Sequence, residues 1–389
     1  FYWTELMPQE WDCRHAQLRL VAPADSARLL ADYAEHKLSV IQRSVATPPG
    51  GVEADVVVLE QGDEEASDAN IDVKGKLVLT RGNLRRVHDL AVQRRGALGI
   101  IYDGMREQPP VRPAFDLADA LQYTSFWWRP QDTRCFGFVL SPRRGEELRR
   151  IIRGARQRGE SVRLHATVDS SFSDGLIDVA SGLIKGDSDE EILIVAHLCH
   201  PQPSANDNAS GAATVLEAAR VLQTLIASGA MPRPRRSIRF LLPPEMTGTY
   251  AYLAGDPARS RRAVAAINLD MVGENQELCG SSFLVESPPQ AMAAPVDALA
   301  IAIQESLAQQ DHGLNDLGSF ALFRYGHTPF NGGSDHYILS DPTVGIACPM
   351  IIEWPDRFYH TSHDTLDKVD PASLTRAGLL TATYAAFLA

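Results

Sequence analysis

The stretch Glu191-Ile-Leu-Ile-Val-Ala-His197-Leu-Cys199-His200-Pro-Gln-Pro-Ser-Ala-Asn-Asp207-Asn208-Ala-Ser-Gly211-Ala-Ala-Thr-Val-Leu-Glu-Ala-Ala-Arg-Val-Leu222 decides how this chain is read. Residues 191–196 form a short apolar run, as expected of a strand buried on both faces. Residues 211–222 repeat their apolar positions with helical spacing. Between strand and helix lie two imidazoles and a carboxylate. Open α/β sheets bind ligands there, outside the carboxyl ends of their strands.

The same arrangement recurs downstream. Apolar runs at 237–242, 264–269 and 346–352 read as strands, and 210–227, 295–310 and 371–388 read as helices. This alternation predicts an α/β fold, a mostly parallel central sheet flanked by helices. Further polar strings sit at strand ends or on loops: Pro244-Glu245-Met-Thr-Gly248, Asn268-Leu-Asp270-Met-Val-Gly273-Glu274, Gly333-Ser-Asp335-His336 and Tyr359-His360-Thr-Ser-His363-Asp364-Thr365.

These residue types suit one chemistry. Zinc takes imidazole nitrogens and carboxylate oxygens in a roughly tetrahedral shell, and a catalytic site leaves a position open. A carboxylate that is not a ligand can then take a proton from water. His197, Asp207, Asp270 and His360 supply two imidazoles and two carboxylates, and Glu245 supplies a further carboxylate. Cys199 beside His200 also puts a thiol next to an imidazole in sequence, the raw material of a nucleophile and its base.

Taken together, the strings resemble those of the zinc aminopeptidase and glutamate carboxypeptidase superfamily. The resemblance runs from about residue 177 to the C-terminus. It implies the zinc exopeptidase fold. It also implies one zinc ion on His197, Asp207 and Asp270, and a second on Asp207, a glutamate and His360, with Asp207 bridging; Glu245 is assigned as the general base, because hydrolysis without a base is harder than a site with one ligand fewer. The resemblance further implies a cis peptide between Asp207 and Asn208. The variant Cys199-His200-Pro201, with Met7-Pro-Gln-Glu-Trp11 upstream, is similar to a bacterial aminopeptidase-like branch of that superfamily.

The chain departs from the pattern at two places. Cys199 stands where an aspartate orients the first imidazole. Glu245 stands alone where two adjacent glutamates serve as base and ligand. One carboxylate is therefore missing, and His200 and Glu274 are candidates to fill the vacancy. Glu274, Asp335, His336 and His200 are the candidate substrate-binding residues.

The resulting expectation is a zinc exopeptidase, an aminopeptidase acting on peptides or small aminoacyl amides, with one or two zinc ions. Its rivals are a mono-zinc acyl-transfer enzyme of glutaminyl cyclase type and a non-catalytic, receptor-like protein that keeps the fold.

Residues 49–170 read as an insert. Thr47-Pro-Pro-Gly-Gly51 marks its start. The string Asp72-Val-Lys-Gly75-Lys76-Leu-Val-Leu, followed by Ala91-Val-Gln-Arg-Arg-Gly96-Ala-Leu-Gly-Ile-Ile-Tyr102, resembles the β-rich protease-associated domain. A nucleotide-type βαβ unit is the alternative, disfavoured because no glycine fingerprint follows either strand. The catalytic domain is expected to comprise residues 1–48 and 171–389.

Composition bounds the rest. The 389 residues carry 44% hydrophobic side chains and a net charge of −12 from 37 basic and 49 acidic groups. That balance argues against nucleic acid as a partner. No apolar run is long enough to span a membrane. Five scattered cysteines without a CxxC pair favour reduced thiols and a cytoplasmic location over secretion. The first residue is Phe1, so the N-terminus is expected to be incomplete, with an upstream signal peptide left open. The resemblance allows a homo-oligomer but identifies no contact.

Overall fold

The computed structural model describes residues 2–60, 62–64, 68, 70–113, 116–292, 294–310, 312–315 and 318–389. The chain packs as two compact units: Phe1–Met7 with Gly175–Tyr359 and Asp364–Ala389, and Pro8–Asp174 with His360–His363.

In the first unit the sheet order is Tyr325–Thr328, Ser282–Glu286, Met350–Trp354, Ala263–Leu269, Glu191–Val195, Ser237–Leu242 and residues 180–184 of the long strand Arg163–Ile184. The four central strands run parallel. The α/β class is therefore as expected. Ser282–Glu286 and Tyr325–Thr328 are additional strands, and the last apolar run becomes a strand at Met350 rather than Ile346.

Every residue of Glu191–Val195 is buried: residues 192–195 are all apolar, and the Glu191 carboxylate is paired with Arg239. Alternate side chains serve opposite faces of the sheet. Ile192, Ile194, Ile267 and Leu269 pack with Val215, Leu222, Ala300, Leu380 and Tyr384 of the helices Gly211–Ala227, Val296–Gln310 and Pro371–Leu388. Leu193, Val195, Leu241 and Ala266 pack with Tyr252 and Leu339 on the other face. Each fully buried aliphatic side chain contributes about 1.5–3 kcal/mol. The one polar tip in the first cluster is satisfied, since Tyr384 Oη donates to Ala266 O at 2.8 Å.

The second unit is built on four parallel strands, Val52–Val58, Leu77–Thr80, Gly99–Tyr102 and Phe136–Val139, in that order. Residues 163–166 of the strand Arg163–Ile184 add antiparallel to Val52–Val58. The helix Pro142–Gln157 follows, capped by Ser141 and tied down by Arg149, whose Nε and Nη2 each lie 2.8 Å from an Asp103 carboxylate oxygen. The unit thus combines four parallel strands with the helix Pro142–Gln157.

Its boundary also differs from the expected one. Residues 8–48 pack with this unit rather than with the catalytic one. Ala16, Leu18 and Leu20 of the strand Tyr2–Ala22 share a core with Leu164, Ala166 and Val168. Among the described residues no helix is long and apolar enough to cross a membrane.

Candidate metal centre

Strand register assembles the centre. Val195 pairs with Leu241 on one side and with Asn268 on the other. The three strands therefore end at nearly the same level, and their next polar residues are His197, Glu245 and Asp270. His197 Nε2 lies 3.4 Å from Asp207 Oδ1 and 3.3 Å from Asp270 Oδ1. Ligand atoms of His197, Glu245 and Asp270 all lie within 4.8 Å of one another.

Asp207 is placed by a short kinked segment, Ala205–Ser210, with non-helical dihedrals at Asp207 and Asn208 and the expected cis peptide between them. The Asp364 carboxylate accepts from Asn206 N at 2.7 Å and from Asp207 N at 2.9 Å. Asn208 fastens the segment to the strand that carries Asp270. Its Nδ2 donates to Leu269 O at 2.9 Å, and its Oδ1 accepts from Gly211 N and Met271 N at 3.0 and 3.1 Å. Ser210 Oγ accepts from Val272 N at 2.9 Å. Gly211 permits this approach: a Cβ there would stand 2.4 Å from Asn208 Oδ1 and 2.6 Å from Leu269 O.

The donor set fits a divalent ion. Ligand bonds of about 2.0–2.1 Å in a tetrahedron separate neighbouring donor atoms by about 3.3 Å, the spacing seen around His197 Nε2. The electrostatics agree. Burial pulls the His197 imidazole toward neutrality, but Asp270 and Asp207 outweigh it and hold its pKa far above the ordinary range. The cluster calls for positive charge, which a proton or a metal ion can supply. Burial, and then the charge of Asp270, push the Glu245 carboxyl up to about 8.

Cys199 is exposed and sits between two of these groups. Its Sγ accepts from Glu245 N at 3.1 Å and lies 3.8 Å from His197 Nδ1. It occupies the position of an imidazole-orienting carboxylate rather than that of a nucleophile with His200. His200 turns its Nδ1 to Ser204 Oγ at 2.9 Å, and its Nε2 lies 3.5 Å from Asp207 Oδ2.

Three expected substrate-binding residues are placed elsewhere. Asp335, His336 and Glu274 are each 0% exposed. Asp335 Oδ1 accepts from Met246 N at 2.8 Å and Thr249 Oγ1 at 2.6 Å, so it braces the loop of Glu245. His336 Nε2 pairs with Glu286 Oε1 at 2.8 Å. Glu274 accepts from Asn206 Nδ2; its own burial, and then the charges of Asp356 and Glu353, raise its pKa. Glu274 is thus buried among carboxyls rather than exposed to solvent.

His360 lies in the short segment that packs with the second unit. There its carbonyl accepts from Tyr123 N at 2.8 Å and Gln122 Nε2 at 2.9 Å, and its ring meets Tyr123 edge-on. The bracing roles of Asp364, Ser204 and Asp335 were not legible beforehand. An aspartate that holds backbone amides has the same sequence signal as one that holds a ligand.

A parallel α/β sheet with an imidazole–carboxylate cluster beyond its strand ends, and a further glutamate beside it, defines a metallohydrolase of the zinc exopeptidase kind. Residues 178–385, more than half of the chain, match peptidase family M28, and the chain belongs to that family. The fold is similar to that of BSAP, a zinc aminopeptidase from Bacillus subtilis, with a TM-score of 0.66 at 18% identity over 99% of this chain and 83% of that one. It is also similar to the peptidase M28 precursor from Shewanella amazonensis SB2B, with a TM-score of 0.65 at 19% identity and the same coverage. At these identities the likeness is one of fold. A curated Clostridium acetobutylicum protein, whose name pairs polysaccharide biosynthesis with an aminopeptidase-like domain, is 31% identical over 107 residues. That match spans 28% of this chain and 23% of the relative.

Proposed function

We propose that this chain is a zinc-dependent exopeptidase, an aminopeptidase that releases N-terminal residues from peptides or small aminoacyl amides. The observation that carries the reading is geometric: ligand atoms of His197, Glu245 and Asp270 lie within 4.8 Å of one another, and Asp207 Oδ1 lies 3.4 Å from His197 Nε2. His197, Asp207 and Asp270 would hold the zinc ion, and the family resemblance adds His360 for a second ion. Zinc, when bound, supplies Lewis-acid polarisation of the scissile carbonyl and of the attacking water. A Glu245 carboxylate oxygen takes the proton from that water. It then returns the proton to the leaving amine, which departs neutral. Cys199 and Asp335 hold the backbone on either side of Glu245 so that its carboxylate faces the cluster.

Glu245→Gln keeps the shape and removes the base. Turnover of aminoacyl amides and dipeptides is expected to fall roughly 100- to 10,000-fold. Zinc content, measured in parallel, is expected to stay the same. Full turnover in the variant would remove Glu245 from the mechanism.

A further inference from the structure

We propose that His200 is a metal ligand, standing in for the second glutamate that this chain lacks. The inference rests on the zinc reading above and assigns the donor set of a second ion.

Asp207 turns its two oxygens to two different imidazoles. Oδ1 lies 3.4 Å from His197 Nε2, and Oδ2 lies 3.5 Å from His200 Nε2. Both separations match the edge of a zinc coordination tetrahedron, about 3.3 Å. A carboxylate placed this way would offer one oxygen to each of two ions. Ser204 sets the orientation of the second imidazole, with Oγ 2.9 Å from His200 Nδ1. With Nδ1 protonated and donating to that hydroxyl, Nε2 presents its lone pair on the side of Asp207. Outer partners of metal-ligating histidines act in this way.

The loop sequence gives His200 this reach. Pro201 and Pro203 follow it directly, and Ser204 ends the loop just before the kinked segment that carries Asp207. The other candidate for the vacancy, Glu274, is buried against Asn206 and Glu353 and does not compete.

Dialysis of the full chain against a chelator, followed by zinc titration with calorimetry and elemental analysis, tests the assignment. The wild type is expected to bind two ions per chain and His200→Ala one. Ser204→Ala is expected to keep both sites and weaken one about 10- to 100-fold. His200→Glu, which returns a carboxylate to the position, is expected to bind two ions, and it answers the case in which His200→Ala fails to fold. Two ions bound by His200→Ala with unchanged affinity would overturn the proposal. One ion bound by the wild type, lost in His197→Ala and kept in His200→Ala, would overturn it while leaving the zinc reading intact. A wild type that binds no zinc would overturn both.

Discussion

At the residue scale, position relative to strand ends separates what could be read in advance from what could not. His197, Glu245 and Asp270 each follow an apolar strand, and parallel strands deliver such residues to one edge. Asp335, His336 and Glu274 misled because a polar residue in a glycine-rich string looks the same whether it faces solvent or braces a buried loop. The buried carboxyls near Glu274 have a testable consequence. Burial pushes Glu353 up from 4.5 to about 8, against the hydrogen bonds it accepts from Glu274 N and Gln276 Nε2. A carboxyl raised in this way favours the folded state fully below its unfolded pKa, and that contribution is lost as pH rises through the folded value. Stability is therefore expected to decline between about pH 4.5 and 8, by at most about 1.4 kcal/mol per pH unit for this group. Glu353→Gln should flatten the decline in a calorimetric pH series. An unchanged slope would mean that Glu353 is already ionised.

At the element scale, the segment Ala205–Ser210 and the helix Gly211–Ala227 matter most. The helix is legible in its periodicity; of the kink before it only the cis peptide is implied, by the family resemblance, because the rest depends on bonds to residues far along the chain. Asp364, Leu269 and Val272 all hold it. Gly211 is the tightest point of that contact, and backbone on the Leu269 side cannot yield easily. Gly211→Ala is expected to cost about 1–3 kcal/mol through overpacking and to weaken zinc binding by displacing Asp207. Thermal unfolding with and without added zinc measures both effects, and a variant with wild-type stability and affinity would contradict the packing argument. The strands Ser282–Glu286 and Tyr325–Thr328 escaped notice for a different reason: they are short and flank the central parallel strands rather than carrying site residues.

At the scale of the whole molecule, the α/β class was legible, since strands and helices alternate from the first apolar run onward. The division into units was only partly so. Thr47-Pro-Pro-Gly-Gly51 looks like a boundary, yet residues 8–48 belong to the second unit because the apolar face of Tyr2–Ala22 packs there. A site built from carboxylates and imidazoles should link folding to metal. Zinc at about 100 times its dissociation constant is expected to stabilise the native state by about 2.7 kcal/mol, and a chelator to reverse the gain. A melting temperature that does not respond to zinc would count against a metal centre.

The most direct test is crystallographic. Anomalous scattering at the zinc edge, from crystals of the zinc-loaded chain, locates the ion without reference to activity. A zinc peak bonded to His197 Nε2, Asp207 and Asp270 is expected, with Glu245 alongside as a non-ligand. A zinc-loaded crystal with no peak among these residues, or with Glu245 as a ligand in place of Asp270, would contradict the assignment.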